Sequence, residues 1–220
     1  MTTKLSARQD ILQRVSKGVA KADFAVRRAA ALASLDAPQR GPQPVLSGDL
    51  VTRFQLKAES LASTVDRIGA SNSVPLAVST YLDQGGLGTE LVITPNLAQF
   101  DWLASGLSTR AGAAVDTDQV GVTGCFCAIA ETGTLLLISG ENTPATVSLL
   151  PETHIALVPV SRIVATMEDA FDLLRAELGS IPRAINFISG PSRTGDIEQT
   201  IVLGAHGPCR VHLILMEDAE

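Results

Sequence analysis

The fold prediction rests on the segment Gly121-Val122-Thr123-Gly124-Cys125-Phe126-Cys127-Ala128-Ile129-Ala130-Glu131-Thr132-Gly133-Thr134, which is followed by an apolar run over 135–138. Here an apolar segment enters a tight turn at Glu131-Thr132-Gly133 and leaves as a strand. Other short apolar runs, at 91–93, 155–160, 185–188 and 211–216, are typical of strands buried on both faces. Because helical patterns lie between these runs, we predict an α/β fold with a mostly parallel sheet flanked by helices.

The helical patterns carry their own start and stop signals. Thr166 and Asp169 predict a capped start for a helix over 166–178. A shorter helix is predicted over 75–82, where a proline opens the pattern. Apolar residues at helical spacing also predict a helix over 50–68.

The chain is predicted to have three parts. Residues 1–35 form an N-terminal helical arm, in which Ser6 and Gln9 make a capping box. Residues 36–48 are a Pro/Gly-rich linker, because such a composition cannot propagate a helix. Residues 49–220 form the α/β domain. Whether the linker lets the arm pack around a second copy of the chain stays open; such packing would make a homo-oligomer.

Composition excludes several classes of protein. The chain has 220 residues, 45% of them hydrophobic, which is ample for one core, and its net charge of −6 argues against nucleic acid as a partner. No stretch approaches the ~20 apolar residues of a membrane span. The polar N-terminus lacks the apolar region of a signal peptide, so a cytoplasmic location is expected. All four lysines lie at or before Lys57, so later residues supply no lysine for a Walker A loop or a Schiff base.

The three cysteines are too few for a disulfide framework and fall short of the four thiolates that hold an iron–sulfur cluster. Cys125 and Cys127 are expected on alternate positions of one strand, as reduced thiols that face the core. No metal site is predicted. His154 follows Glu152 closely, but no second histidine sits at ligand spacing.

Glu131 is the first candidate catalytic residue. At a strand end beside glycine, a small ligand can approach backbone amides while one carboxylate faces it, which suits a general base or a nucleophile. The alternative is a solvated glutamate in an ordinary β-turn, since turns are rich in such residues.

The second candidate is the loop Ser189-Gly190-Pro191-Ser192-Arg193-Thr194-Gly195-Asp196-Ile197-Glu198, between a predicted strand and a helix-like run. Free amides at a helix N-terminus bind anions, and Arg193 would add a fork for carboxylate or phosphate. Alternatively, Thr194 caps this helix while Asp196 and Glu198 complement its dipole, with no ligand. His206 lies in a flexible turn, where a lone histidine is more often solvated than catalytic.

Together these motifs resemble a known family. The two segments above, with Gly204-Ala205-His206-Gly207-Pro208, are similar in order and spacing to the LUD domain of lactate utilization proteins, the LutC branch in particular, from about Asp49 to the C-terminus. Two positions depart from the family: Gly195, where alanine is usual, and Cys125-Phe126-Cys127, in a segment that otherwise has small or acidic residues.

The resemblance implies a fold like that of glucosamine-phosphate deaminase, ribose-phosphate isomerase and the CoA transferases. It also implies a role in oxidising L-lactate to pyruvate beside two iron–sulfur partners, with no cofactor in this chain itself. Motif residues that it marks, together with Arg193 from the loop analysis above, are candidates for catalysis or for binding a ligand. The catalytic candidates are Glu131 and His206, and the ligand-binding candidates are Thr132, Gly133, Ser189, Gly190, Ser192, Arg193, Thr194, Asp196 and Glu198.

Three functional hypotheses follow from different classes of protein. In the first, the chain is a subunit of an L-lactate oxidation system that docks on iron–sulfur proteins and holds a small carboxylate near Arg193. In the second, it is an independent enzyme of the acyl or CoA transfer type, with Glu131 as nucleophile. In the third, it senses a carboxylate and carries out no chemistry.

Overall fold

The computed structural model describes residues 6–18, 23–36, 40–195 and 200–217. The chain divides into two compact units, 1–43 and 44–220, with the boundary inside the predicted linker. The first unit contains the helices Ala7–Gly18 (α1) and Phe24–Asp36 (α2), and neither has a buried residue.

The predicted capping box is confirmed at the start of α1. The Ser6 amide donates to the Gln9 Oε1 atom over 3.0 Å, and the Gln9 amide donates to the Ser6 Oγ atom over 3.3 Å. Within the described ranges, no helix has both the length and the apolar character needed to cross a bilayer.

The described residues of the second unit form four α-helices and twelve strands. The helices are Leu50–Ser60 (α3), Val74–Gly85 (α4), Thr146–Leu149 (α5) and Met167–Leu178 (α6). The strands are Thr64–Ile68 (β1), Glu90–Ile93 (β2), Ser108–Ala111 (β3), Val120–Gly124 (β4), Cys127–Ile129 (β5), Thr134–Ile138 (β6), Thr153–Pro159 (β7), Ile163–Val164 (β8), Ile185–Ile188 (β9), Arg193–Thr194 (β10), Val202–Leu203 (β11) and Arg210–Met216 (β12).

Six strands form one parallel sheet in the order β1-β12-β7-β4-β2-β3. Its central strands β7 and β12 are buried over most of their length, because both faces of the sheet are covered. Ile155 and Ile214 pack with α4 on one face, and Ala156 and Leu213 pack with α3 on the other. The predicted α/β class, with its mostly parallel sheet, is confirmed.

A second sheet has the order β8-β5-β6-β9 and contains antiparallel pairs. It therefore takes up the apolar runs over 135–138 and 185–188, which lie outside the parallel sheet. The buried side chains Ile129, Leu136 and Leu174 pack α6 against this sheet.

The capping residues at the start of α6 act as predicted. The Thr166 Oγ1 atom accepts a hydrogen bond from the Asp169 amide over 3.2 Å, and the Asp169 Oδ2 atom accepts one from the Thr166 amide over 3.0 Å. The helix predicted over 75–82 is likewise present, as α4.

The helix predicted over 50–68 is wrong in its second half. Helix α3 ends at Ser60, and Ala62 has a φ of 67°, which a continuing helix cannot accommodate. Residues 64–68 form β1 instead, paired with β12, so pairing with a distant strand decides the structure of a segment whose apolar residues fit the helical period.

Two buried histidines lie on the central strands. The ring of His212, on β12, stacks on Tyr81 at 3.9 Å between centroids, and its Nδ1 atom lies 2.8 Å from the Thr64 Oγ1 atom. Burial lowers the pKa of His212 to about 4, although Asp66 at 3.6 Å opposes this shift. At neutral pH the contact with Asp66 is therefore not an ion pair. Burial also lowers the pKa of His154, on β7, to about 4.

These shifts predict that the protein loses stability on mild acidification. An unfolded histidine has a pKa of about 6.5, so the unfolded chain takes up protons first as the pH falls. The stabilisation by neutral His154 and His212 is complete above about pH 6.5 and is lost progressively toward pH 4, by about 3 kcal/mol for each residue. Urea unfolding between about pH 7 and pH 5 measures this loss.

The matched variants are His154→Gln, which should remove about half of the pH dependence because His212 remains, and His206→Gln, a control at an exposed position that leaves both buried histidines in place. A wild-type free energy of unfolding that stays constant from pH 7 to pH 5 would contradict the expectation.

Candidate functional site

The first motif forms the hairpin between β5 and β6, as predicted. Gly133 closes the turn with a φ of 67°, and its amide donates to the Ile129 carbonyl over 2.9 Å. A Cβ atom at Gly133 would lie 2.6 Å from the Ala58 amide nitrogen and 2.7 Å from the Lys57 carbonyl carbon. Glycine is therefore required where the hairpin packs on the backbone of α3.

Glu131 sits in this turn and is half-buried. Its backbone amide donates to the Ala165 carbonyl over 3.0 Å. Among the described residues, its carboxylate forms neither a hydrogen bond nor an ion pair. The side chain is thus available to a ligand, although nothing in its surroundings is arranged to activate it.

The second motif meets the first through hydroxyl groups. The Ser189 Oγ atom lies 2.7 Å from the Thr134 Oγ1 atom, which accepts a hydrogen bond from the Thr132 hydroxyl over 2.8 Å. Gly190, with a φ of 78°, approaches the end of α3 so closely that a Cβ atom would lie 2.3 Å from the Leu61 carbonyl oxygen.

The Leu61 carbonyl also accepts a hydrogen bond from the exposed Arg193 side chain, through Nη2 at 3.1 Å. Part of the guanidinium is therefore engaged in closing the end of α3. The remaining N–H groups of this side chain can still bind an anion.

The loop after β9 continues into a short strand, and the helix-like run predicted after Thr194 falls largely on residues outside the described ranges. Arg193 and Thr194 form β10, an antiparallel ribbon with β11, and Thr194 is buried. Asp196 and Glu198, the predicted dipole partners, lie outside the described residues.

The third motif packs against the second. The Ser192 amide donates to the Pro208 carbonyl over 2.8 Å, and the Gly204 amide donates to the Ser192 carbonyl over 3.0 Å. His206 is exposed in the turn between these contacts. The structure thus assembles the three motifs into one cluster, which we call the motif cluster. No hydrogen bond within the described part of the chain joins Glu131 to His206.

A separate cavity of about 200 Å³ lies at the opposite end of the parallel sheet, where β2 and β4 end. We call it the switch-point cavity. The polar residues that line it, which carry hydroxyl, amide or guanidinium groups, are Thr94, Asn96, Thr123, Thr143, Ser148, Arg162 and Asn186. Its apolar lining includes Phe126, Leu137, Ile138 and Pro144.

Sequence reasoning did not find this cavity. One usable signal was present: Thr94 and Asn96 directly follow the apolar run over 91–93, and parallel strands bind ligands at their carboxyl ends.

Arg162 forms the outer wall of the switch-point cavity. Its guanidinium lies over the Phe126 ring at 4.8 Å from the centroid, and its Nε atom donates to the Phe126 carbonyl over 2.8 Å. Two further bonds, of 2.6 and 3.0 Å, join it to both carboxylate oxygens of Glu177. This pairing lowers the pKa of Glu177 and raises that of Arg162. The ion pair fixes the wall and neutralises much of its charge.

The prediction that Cys125 and Cys127 lie on one strand is wrong, because Cys125 lies between β4 and β5. Both nevertheless face apolar cores: Cys125 packs among residues under α3 and also lines the cavity, and Cys127 packs under α6. Burial raises the pKa of Cys125 to about 12 and that of Cys127 to about 11. In the described ranges, no group of three or more histidine, cysteine or acidic side chains is placed to hold a metal ion.

Comparison with known proteins confirms the resemblance inferred from the motifs. A model of the LUD domain matches residues 50–216. Lactate utilization protein C of Shouchella clausii is 35% identical over 161 residues, which cover 72% of this chain and 68% of that protein. Lactate utilization protein C of Bacillus subtilis is 43% identical over 102 residues, 45% of this chain and 42% of that protein. The match thus spans less than half of the Bacillus subtilis relative.

Among solved structures, a crystal structure of a DUF162 family protein from Deinococcus radiodurans aligns with a TM-score of 0.61 at 24% identity. The alignment covers 79% of this chain and 99% of that chain. The likeness establishes a shared fold.

The close approach of Gly190 to α3 predicts that Gly190→Ala destabilises the protein. The added Cβ atom would clash with the Leu61 carbonyl, and the alanine would have to keep a positive φ. We therefore expect the free energy of unfolding to fall by about 2 to 4 kcal/mol. Chemical denaturation measures it. Gly195→Ala in the same loop is the matched control, because its Cβ atom would meet nothing within 4 Å, and it should change stability by less than about 0.5 kcal/mol. Equal stability of the two variants would show that the loop is packed differently.

The raised thiol pKa values predict that Cys125 and Cys127 resist alkylation in the folded protein. At about pH 8 only a minute fraction of either thiol is ionised, and the thiolate is the reactive form. Iodoacetamide treatment followed by peptide mass spectrometry should leave both unmodified in buffer and label both in urea. Rapid labelling of native Cys125 would instead indicate a reactive thiol in the cavity.

Proposed function

We propose that this chain, which belongs to the LUD domain family, is a component of a bacterial system for L-lactate oxidation. That system would oxidise L-lactate to pyruvate together with iron–sulfur partner proteins. The observation that carries the proposal is the match of residues 50–216 to the LUD domain, joined to the 35% identity with a lactate utilization protein C over 72% of the chain. The names of these relatives connect them with lactate utilization, and the oxidation and the partners are our inference.

The proposed division of labour follows from the chemistry of the reaction. Conversion of lactate to pyruvate breaks one C–H and one O–H bond and releases two electrons and two protons. The electrons need an acceptor, and we assign it to iron–sulfur proteins, since the three cysteines of this chain fall short of the four thiolates of a cluster. The role of this chain is then to dock on those proteins and to hold the carboxylate.

The motif cluster supports a working role for the family motifs. It joins three segments that are far apart in the sequence, and it leaves the Glu131 carboxylate without a partner among the described residues. Arg193 supplies the positive charge at this cluster, with N–H groups beyond the one that binds Leu61. Glu131 as a proton acceptor and Arg193 as an anion contact are the assignments that we propose to test.

One observation favours a second function. A half-buried carboxylate with no partner among the described residues is also what a nucleophile in acyl or CoA transfer requires, and Glu131 meets this description. In that case the Glu131 carboxylate should attack the thioester carbonyl of an acyl-CoA, with release of the CoA thiolate and formation of an acyl-glutamyl anhydride. Hydroxylamine should convert this activated glutamyl group to a hydroxamate with release of the acid, and mass spectrometry detects the hydroxamate at Glu131.

The lactate proposal predicts the growth phenotype of a deletion strain. Without this gene, cells should fail to grow on L-lactate as sole carbon source, and the wild-type gene should restore growth. Glu131→Gln and Arg193→Ala should restore it poorly if the motif cluster binds or reacts. Glu141→Gln, at an exposed loop position, is the control for a charge change and should complement fully.

The variants must be shown to fold, because Arg193→Ala also removes the bond to Leu61, worth about 1 kcal/mol. Normal growth of the deletion strain, in a host with no other lactate dehydrogenase, would refute the proposal. Co-purification of the tagged chain with iron–sulfur proteins tests the partners separately.

A further inference from the structure

We infer that the switch-point cavity is a binding site for a small carboxylate, held by hydroxyl and amide donors at the ends of β2 and β4. The site is distinct from the motif cluster, so it would be a second carboxylate site in addition to the anion contact proposed for Arg193. That the ligand is a short 2-hydroxy or 2-oxo acid rests on the proposed function, whereas the carboxylate site does not.

The topology of the sheet opens this cavity. From β2 the chain passes to β3 on one side, and from β4 it continues toward β7 on the other. Adjacent parallel strands whose connections diverge leave a crevice at their carboxyl ends, where α/β proteins bind ligands. The Thr94 amide still pairs with the Val122 carbonyl over 3.1 Å, so Thr94 lies at the base of this crevice.

Thr94 provides the independent sign of a ligand. The residue is 2% exposed and lines the cavity, yet its Oγ1 atom has no hydrogen-bond partner among the described residues. Buried hydroxyl groups in folded proteins are almost always paired. We therefore take the Thr94 hydroxyl, which lies beside the cavity without a partner among the described residues, as a group that a ligand in the cavity would pair.

Thr123 offers a second donor, because of its contact with His154. The Thr123 Oγ1 atom lies 2.8 Å from the His154 Nε2 atom, while the buried His154 Nδ1 atom has no partner among the described residues. Neutral histidine carries one N–H and one lone pair, and an unpaired lone pair is tolerated in a core more readily than an unpaired N–H. We therefore assign the proton to Nε2, which donates to Thr123. The Thr123 hydroxyl is then free to donate into the cavity that it lines.

The charge of the lining selects an acceptor-rich ligand. No aspartate or glutamate is among the described residues that line the cavity, and its one cation, Arg162, is balanced from outside by Glu177. Asn96 and Asn186 add amide donors. Because the lining has hydrogen-bond donors and no carboxylate of its own, it fits the oxygens of a carboxylate ligand. A cationic ligand would find no counter-charge in it.

The size of the cavity and its apolar wall narrow the range of possible ligands further. A volume of about 200 Å³ lies below the roughly 300 to 1,000 Å³ of sites for drug-sized ligands, so an acid of three or four carbons fits inside it and a whole nucleotide or CoA would not be enclosed. Phe126, Leu137 and Ile138 form an apolar side that suits a methyl group. A short aliphatic acid satisfies both sides of the cavity.

Isothermal titration of the purified full-length protein tests this site. L-lactate, pyruvate and propionate are titrated up to about 10 mM, which detects a millimolar Kd, with lactamide as the uncharged control. We expect the acids to bind and lactamide not to bind. Thr94→Val keeps the shape but removes the hydroxyl, and it should weaken acid binding roughly tenfold or more. Thr89→Val, an exposed threonine before β2, should bind as wild type does.

Thr94→Val removes a hydroxyl that has no protein partner, so denaturation should show it to be as stable as the wild type. Absence of acid binding to the wild type, or equal binding by Thr94→Val, would overturn the inference. So would loss of binding in Arg193→Ala alone, which would locate the ligand at the motif cluster. Because the titration requires neither growth nor partners, propionate binding that Thr94→Val weakens supports the site even if the deletion strain grows on lactate.

Discussion

Backbone contact at the end of helix α3 joins the two sheets of this protein. Gly133 comes from the second sheet and Gly190 from the loop that leaves it, and both reach the α3 end at distances that exclude a side chain. The same end of α3 leads directly into β1, the edge of the parallel sheet, through the left-handed Ala62. Since backbone atoms of three segments meet here, the relative position of the sheets depends on two residues having no Cβ atom.

Much of the fold could be predicted from local signals. Continuous apolar runs such as 155–160 and 211–216 are long enough to be strands, and the strand predictions there were correct. The helix start at Thr166 was also predicted correctly, because its capping residues lie within four positions of one another. The strand over 64–68 could not be predicted in this way. Its apolar residues also fit a helical period, and only its pairing with β12 decides between the two structures.

The candidate site was predictable in part for the same reason. The motif residues are contiguous in sequence, so their segments were recognisable, whereas the meeting of Ser189 with Thr134 depends on how β9 pairs with β6. The strand at Thr194 likewise depends on β11. The switch-point cavity has only one local signal, the polar residues Thr94 and Asn96 after the run over 91–93, because its other walls come from both sheets and the connections between them.

The two sites also differ in kind. In the motif cluster, the glycines and Arg193 fasten the end of α3, so their presence there has a structural explanation whether or not a ligand binds. In the switch-point cavity, the Thr94 hydroxyl does nothing for the fold that a methyl group would not do. A polar group without a structural role is the stronger indication of binding.

The pairing of β1 with β12 has a consequence for how the chain folds. It brings Thr64 beside His212, residues 148 positions apart, so the sheet gains its β1 edge only after nearly all of the domain has been synthesised. Such non-local pairing makes folding slow. Until β12 is inserted, the apolar strand β7 presents an open edge on a partly folded chain, and such edges pair readily with other chains. The emerging protein is therefore most prone to aggregation, and most dependent on chaperones, during this interval.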